Sequence, residues 1–203
     1  MVAFSQSGAE PPGYRAYAYL LFAYAWNPAS KQTGMQVPER VASSYRGALE
    51  ALDVLWRQAA ASEAAATEPD RRHLLFCVPG RSRYRVVSLD DYGERLSIDY
   101  LRRLETALPR GRAEHVLLRR PGPHLVLSPR PLTSLRGDSD LLLVDLTDAD
   151  PGTFLPLLLT VAQEANTRQA GDGSILAALR ERLAPLAPAA GFALAFVHGA
   201  VID

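Results

Sequence analysis

The sequence is short of lysine and cysteine, and each shortage excludes a kind of chemistry. Lys31 is the only lysine among 22 basic residues, and it lies in a polar stretch without the motif of a phosphate loop or a Schiff-base site. Cys77 is the only cysteine, which excludes an intrachain disulfide framework and a cysteine-rich zinc site. Since no other cofactor motif is present, we expect no cofactor.

No apolar run is long enough to cross a membrane. The longest, residues 16–26, is shorter than the roughly 20 residues of a membrane span and is rich in tyrosine. The start of the chain also lacks the pattern of a signal peptide. We therefore expect a soluble protein without a transmembrane segment, cytoplasmic by default, with the periplasm as the alternative if a signal peptide has been removed. The excess of arginine over lysine, with abundant alanine and proline, is typical of a GC-rich bacterial genome.

The sequence also lacks the common catalytic signatures. It has no Gly-x-Ser-x-Gly elbow, no His-Glu-x-x-His, no phosphate loop and no Cys-x-x-Cys. One pairing left to consider is Cys77 as a nucleophile with one of the four histidines, His73, His115, His124 or His198. The alternative for Cys77, within Leu-Leu-Phe-Cys-Val, is a small buried hydrophobic residue.

Hydrophobic periodicity and turn residues predict an alternation of strands and helices. Strands are predicted at 17–25, 73–78, 84–89, 115–118, 124–127, 141–146 and 192–202. For the first of these a helix is the alternative, because Tyr14, Tyr17, Leu21 and Tyr24 also fit a helical stripe. Helices are predicted from Pro38 to about residue 66, from a Ser97 cap to residue 108, from an Asp150 cap to about residue 167, and from a Ser174 cap to about residue 186.

This order predicts an α/β (α+β) fold in which helices pack on a central mixed β-sheet. Its first part matches a split βαβ (ferredoxin-like) core, to which a strand, two helices and a strand are appended. An antiparallel hairpin at 79–83 would support that arrangement, and its absence would favour a doubly wound sheet. We expect a loosely ordered N-terminal segment at 1–13 and a single α/β domain at 14–203.

The first helix carries the clearest predicted core face. Apolar residues recur at steps of three and four, so we expect one buried stripe: Val41, Tyr45, Leu49, Leu52, Leu55 and Trp56. We expect it to pack against a sheet containing Leu74, Phe76, Leu142 and Val144.

Basic residues concentrate in the middle of the chain. Residues 71–136 hold 14 arginines and six acidic residues, whereas both flanking parts are net acidic. A face built from these arginines would attract an anionic partner, and the candidate binding residues are Arg81, Arg83, Arg85, Arg102, Arg103, Arg119 and Arg120. The alternative is that the arginines pair with acidic residues of the fold.

Two further patterns are candidate sites. The loop 79–83 follows an apolar strand, where its amides and arginines could hold a phosphate, although a simple turn explains it as well. Asp145 and Asp148 lie at the carboxyl end of the strand 141–146, where carboxylates can hold Mg²⁺, although Asp148 also suits the start of the next helix.

Aromatic residues cluster near the N-terminus. Tyr17, Tyr19, Tyr24 and Trp26 form a candidate aromatic surface for a partner, because half the side chains of a strand face away from one core. Packing in the core is the alternative.

The absence of catalytic signatures favours a non-enzymatic binding or assembly module that engages a protein or anionic partner. We expect a protein partner or a homo-oligomer, and weak contact with polyanions. The alternatives are a small enzyme acting on a phosphate-containing substrate and a nucleic-acid-binding protein.

Overall fold

The computed structural model describes residues 2–6, 10–23, 38–63, 73–81, 86, 88–108, 113–135, 139–167 and 174–200. The strands in this part of the chain are β1 Val2–Gln6, β2 Ala16–Leu21, β3 Leu74–Val78, β4 His124–Ser128, β5 Ser139–Asp145 and β6 Ala193–Ala200. The helices are α1 Glu39–Glu63, α2 Glu94–Ala107, α3 Ala113–Leu118, α4 Phe154–Thr167, α5 Ile175–Leu183 and α6 Ala187–Ala190. Short 3-10 turns lie at Leu132–Ser134 and Pro151–Thr153.

The six strands form one mixed sheet in the order β1-β3-β2-β4-β5-β6. The first three strands in this order are parallel, and β4, β5 and β6 each pair antiparallel with the preceding one. The predicted mixed sheet covered by helices is confirmed. Its topology is not that of a split βαβ unit, because β3 is hydrogen-bonded directly to β2 and no strand lies between them.

Helices cover both faces of the sheet, and two hydrophobic cores result. One core joins the sheet to α1, α4 and α5, and the other joins it to α2, α3 and the turn at Leu132–Ser134. Successive residues of a strand point to opposite faces. Leu20 of β2 therefore belongs to the first core, whereas Tyr19 and Leu21 belong to the second. A strand buried on both faces reads as an unbroken apolar run.

The predicted face of α1 is confirmed for most of its length. Tyr45, Leu49, Leu52 and Leu55 are buried in the first core together with Leu74, Phe76, Leu142 and Val144, and Val41 packs at its margin. Trp56 is the exception, because it is only half-buried and lies outside this cluster.

Both predicted helix caps downstream are confirmed. The carboxylate of Asp150 accepts a hydrogen bond from the backbone N–H of Gly152 at 2.7 Å, at the start of the turn that leads into α4. The hydroxyl of Ser174 accepts one from the N–H of Ala177 at 3.4 Å, at the start of α5. Each side chain satisfies an N–H that lacks an intrahelical partner.

Ser97 does not cap α2, which is a correction. The helix begins at Glu94, and Ser97 lies buried inside it. Its hydroxyl donates to the carbonyl of Phe22 at 2.9 Å and accepts from the Phe22 N–H at 2.8 Å. Ser97 therefore fastens α2 to the end of β2.

Three other elements differ from the sequence pattern. Residues 115–118, predicted as a strand, belong to helix α3. The prediction failed because a short apolar run fits a strand and a helix equally well. Val2–Gln6 forms β1, a strand that the polar N-terminal sequence did not predict. The predicted strand 84–89 is described only at residues 86, 88 and 89, and none of these is in a strand.

None of the described helices combines the length and the apolar character that crossing a membrane requires.

Candidate functional site

A charged network lies at one end of the strands, where β2, β3 and β5 finish and β4 begins. Asp145 is the last residue of β5 and pairs across the sheet with His124, the first residue of β4. One guanidinium nitrogen of Arg120 lies 2.8 Å from a carboxylate oxygen of Asp145, and the other contacts Asp148. Arg40 at the start of α1 lies 3.4 Å from Asp148. This network therefore joins the start of α1, the segment before β4 and the end of β5 with the residues that follow it.

The Asp145 carboxylate is enclosed by the protein, and its oxygen nearest to Arg120 makes an ion pair but no hydrogen bond. Its side chain is only 1% exposed, and it accepts hydrogen bonds from the backbone N–H of Thr147 at 3.0 Å and from the Thr147 hydroxyl at 2.5 Å. Arginine binds both Asp145 and Asp148, the two candidate magnesium ligands. Among the described residues no three His, Cys, Asp or Glu side chains are grouped to hold a metal ion.

His124 is buried against this network. One ring nitrogen lies 2.9 Å from the carbonyl of Arg120, and the other lies 3.7 Å from an Asp145 oxygen. Burial lowers the pKa of His124 despite the neighbouring carboxylate, so the ring is neutral near pH 7. Because both nitrogens face protein groups and the side chain is 3% exposed, His124 has no access to a substrate.

Acidification should therefore destabilise the protein partly through His124. Above about pH 6.5 the ring is neutral in both states, but below it the unfolded chain takes up a proton that the buried ring resists, so the free energy of unfolding falls. We expect His124→Gln, whose amide can still donate to the Arg120 carbonyl, to lose less stability between about pH 6.5 and 5. Urea unfolding of both proteins at several pH values measures this difference. An equal loss in both would contradict a neutral buried His124.

Cys77 does not have the character of a nucleophile. It is a buried residue of β3 in the second core, and burial raises the pKa of its thiol well above the usual range. The thiolate, which is the reactive form, is therefore not formed near neutral pH.

Most of the described candidate arginines are paired with acidic groups. Arg81 lies 2.6 Å from Glu94 and donates to the carbonyl of Tyr92. Arg119 lies 2.6 Å from Glu105, and Arg102 lies 3.9 Å from Asp99. Arg120 binds Asp145 and Asp148, whereas Arg103 is an exposed residue of α2. Arg83 and Arg85 lie outside the described residues. These pairs favour structural roles.

The candidate aromatic surface is corrected for its two described members. Tyr17 and Tyr19 are 1% and 0% exposed in the second core. The Tyr17 hydroxyl donates to the carbonyl of Pro11 at 3.0 Å, and the Tyr19 hydroxyl accepts from the N–H of Leu132 at 2.9 Å. They are buried because helices cover this face of the sheet as well. Tyr24 and Trp26 lie outside the described residues.

An open groove lies between α5 and the edge strand β6, and we call it the α5–β6 groove. It has a volume of about 410 Å³. Its lining residues are Asp140, Ser174, Ala177, Arg180, Glu181, Ala184, Phe196 and His198. Phe196 packs against the first core, on the α5 side, and His198 follows two residues later on the same face of β6.

The α5–β6 groove combines charges of both signs with an aromatic ring. A ring nitrogen of His198 lies 3.0 Å from a carboxylate oxygen of Asp140 on the neighbouring strand. The His198 ring meets the Phe196 ring edge-on at 4.7 Å between centroids. The guanidinium of Arg180 lies 5.5 Å from the centre of the same Phe196 ring. These side chains present hydrogen-bond donors, acceptors and an apolar surface to the solvent.

No family model, no curated protein and no solved structure matches this chain. No relative's residues or activity therefore carry over to it.

Sequence reasoning missed the α5–β6 groove. Asp140, Arg180 and His198 are far apart in the chain and belong to no motif. The pairing of β5 with β6 and the packing of α5 bring them together. Phe196 and His198 are two residues apart and therefore share one face of β6. This spacing indicates a binding site only once β6 is known to be the last strand of the described sheet.

Proposed function

We propose that this chain is a non-enzymatic binding module that takes an extended segment of a protein partner along the outer edge of β6, while the α5–β6 groove receives one of the partner's side chains. The position of the groove beside an unpaired strand edge carries this proposal. β6 is the last strand in the order of the sheet, and no described strand pairs with its outer side. Such an edge presents a row of backbone donors and acceptors to an added strand.

The groove suits the alternating side chains of an added strand. In strand addition the backbone hydrogen bonds supply affinity, and pockets for every second side chain supply specificity. Phe196 offers an apolar surface beside Arg180 and the acidic residues Asp140 and Glu181. An amphipathic side chain, with an apolar stem and a charged or polar end, matches this mixture.

The structure offers less support for an enzyme. Asp145 and Asp148 are bound by arginine, His124 is enclosed, and Cys77 is a buried thiol. The exposed pair His198 and Asp140 lies in an open groove, and no described nucleophile is hydrogen-bonded to His198.

Selection from a displayed library of random peptides tests the proposal with defined ligands. We expect wild type to select peptides with alternating apolar residues, and their affinity to fall about tenfold in Arg180→Gln. The matched control is Arg182→Gln, which changes the same residue type on α5 outside the groove lining. Failure of the monomeric chain to select any peptide, or equal binding by wild type and Arg180→Gln, would contradict a partner site at this groove.

Proline substitution in β6 tests the mode of binding. Neighbouring strand residues direct their N–H groups to opposite sides, so one of Leu194→Pro and Ala195→Pro removes a donor from the outer edge and the other removes one that faces β5. We expect the outer-edge variant to keep the fold, shown by far-ultraviolet circular dichroism, and to lose peptide binding. A folded proline variant that binds the selected peptides as wild type does would rule out strand addition.

A further inference from the structure

We infer that the segment taken by β6 is the β6 of a second copy of this chain, added antiparallel about a two-fold axis. This inference rests on the proposed function, because it uses the same strand edge and names its occupant. The result would be a homodimer in which the two six-stranded sheets continue into each other. Such an interface is isologous, so the same residues serve on both sides.

The composition of β6 supports this occupant. Natural sheets protect long edge strands with charges, prolines or a covering element, because an unprotected edge pairs with other strands. β6 has eight residues, and residues 192–197 contain no charged side chain and no proline. Leu194, Ala195 and Phe196 are only half-buried although they lie in a strand. Pairing with a second β6 would satisfy this edge and bury these apolar side chains without a further partner.

The surface next to β6 is complementary to itself in charge. Arg180 and Glu181 are neighbouring exposed residues of α5 with opposite charge and both line the α5–β6 groove, whereas Arg182 lies 3.4 Å from Glu164 of α4. Antiparallel pairing about an axis perpendicular to the sheet places both copies of α5 on the same face, one on each side of the junction. Alternating charges then allow Arg180 of one copy to approach Glu181 of the other. The formal net charge of the chain is zero, so two copies do not repel each other over longer distances.

An exposed apolar residue follows α5 in the chain. Leu186, 46% exposed, is one of two large hydrophobic side chains that the described part of the chain exposes. It lies between α5 and α6, and α6 contacts β6. Exposed apolar side chains that lie beside an unpaired strand edge extend the area that a partner can bury. We therefore place Leu186 at the margin of the proposed interface.

Analytical ultracentrifugation of the full chain over a concentration series tests this inference. We expect wild type to be a reversible dimer. Arg180→Glu places like charges at the junction, and we expect it to raise the dissociation constant of the dimer at least about tenfold. The double variant Arg180→Glu/Glu181→Arg exchanges the two charges in both copies, so self-complementarity returns and the dimer should regain its affinity. Arg182→Glu is the control at the neighbouring exposed position and should have a smaller effect.

The charge exchange separates a second copy from a foreign partner, because a foreign strand would not carry the exchanged charges. Wild type that stays monomeric at all concentrations would overturn the inference, as would a dimer that tolerates Arg180→Glu and both β6 proline variants. A monomer that still binds selected peptides in a proline-sensitive manner overturns self-pairing alone. A monomer that binds no peptide overturns the proposed function as well.

Discussion

Leu52→Asp is expected to unfold the protein at neutral pH. Leu52 is 3% exposed and lies in the first core, where α1 meets the sheet. The substitution removes a buried leucine and places in the core a carboxylate without a partner, which costs several kcal/mol in a protein whose total stability is about 5–15 kcal/mol. We expect a loss of more than about 4 kcal/mol, seen as a loss of the cooperative urea transition or of native circular dichroism.

Gln58→Asp is the matched control for this substitution. Position 58 lies on the exposed side of the same helix, so the new carboxylate remains hydrated and the cost should stay below about 1 kcal/mol. If Leu52→Asp unfolded at the wild-type midpoint, the packing of α1 on the sheet would be wrong. A large loss in both variants would point to the helix itself and not to its buried face.

The parts of the fold that the sequence predicts are those whose signal is local and long. The 25 residues of α1 repeat an apolar stripe many times, and the caps at Asp150 and Ser174 depend only on neighbouring residues. Short elements carry too few positions to fix a period. Residues 115–118 therefore read as a strand although they form the end of α3, and β1 is stabilised by its pairing with β3 and not by its own composition.

Burial and function at the sheet depend on which elements cover it, and this is information that no single segment contains. Tyr19 lies on the face of β2 opposite the first core, where the sequence pattern also allows a surface residue. It is buried because the second layer of helices covers that face. Arg120 and Asp145 look like separate charges in the sequence, and only the adjacency of β4 and β5 makes them a pair. His198 becomes part of a groove because β6 is the last strand of the sheet.

Asp145→Ala should produce the second large loss of stability, because it removes the centre of the charged network. The variant loses the two hydrogen bonds from Thr147 and the contact with Arg120. Removing one partner of a buried ion pair costs about 3–5 kcal/mol, and we expect the lower end, about 3 kcal/mol, because the Arg120 side chain is 33% exposed and keeps Asp148. Urea unfolding at pH 7 measures the change.

Asp148→Ala provides the contrast, because this carboxylate shares Arg120 but is 52% exposed. Solvent screens its ion pairs, so its removal should cost no more than about 1 kcal/mol.

Adding Mg²⁺ tests whether Asp145 and Asp148 serve as ion-pair partners of arginine or as ligands of a metal ion. If arginine occupies both carboxylates, millimolar Mg²⁺ should leave the wild-type midpoint unchanged. A midpoint that rises with Mg²⁺ in wild type but not in Asp145→Ala would instead show that the cation displaces Arg120, and that the two aspartates form a metal site.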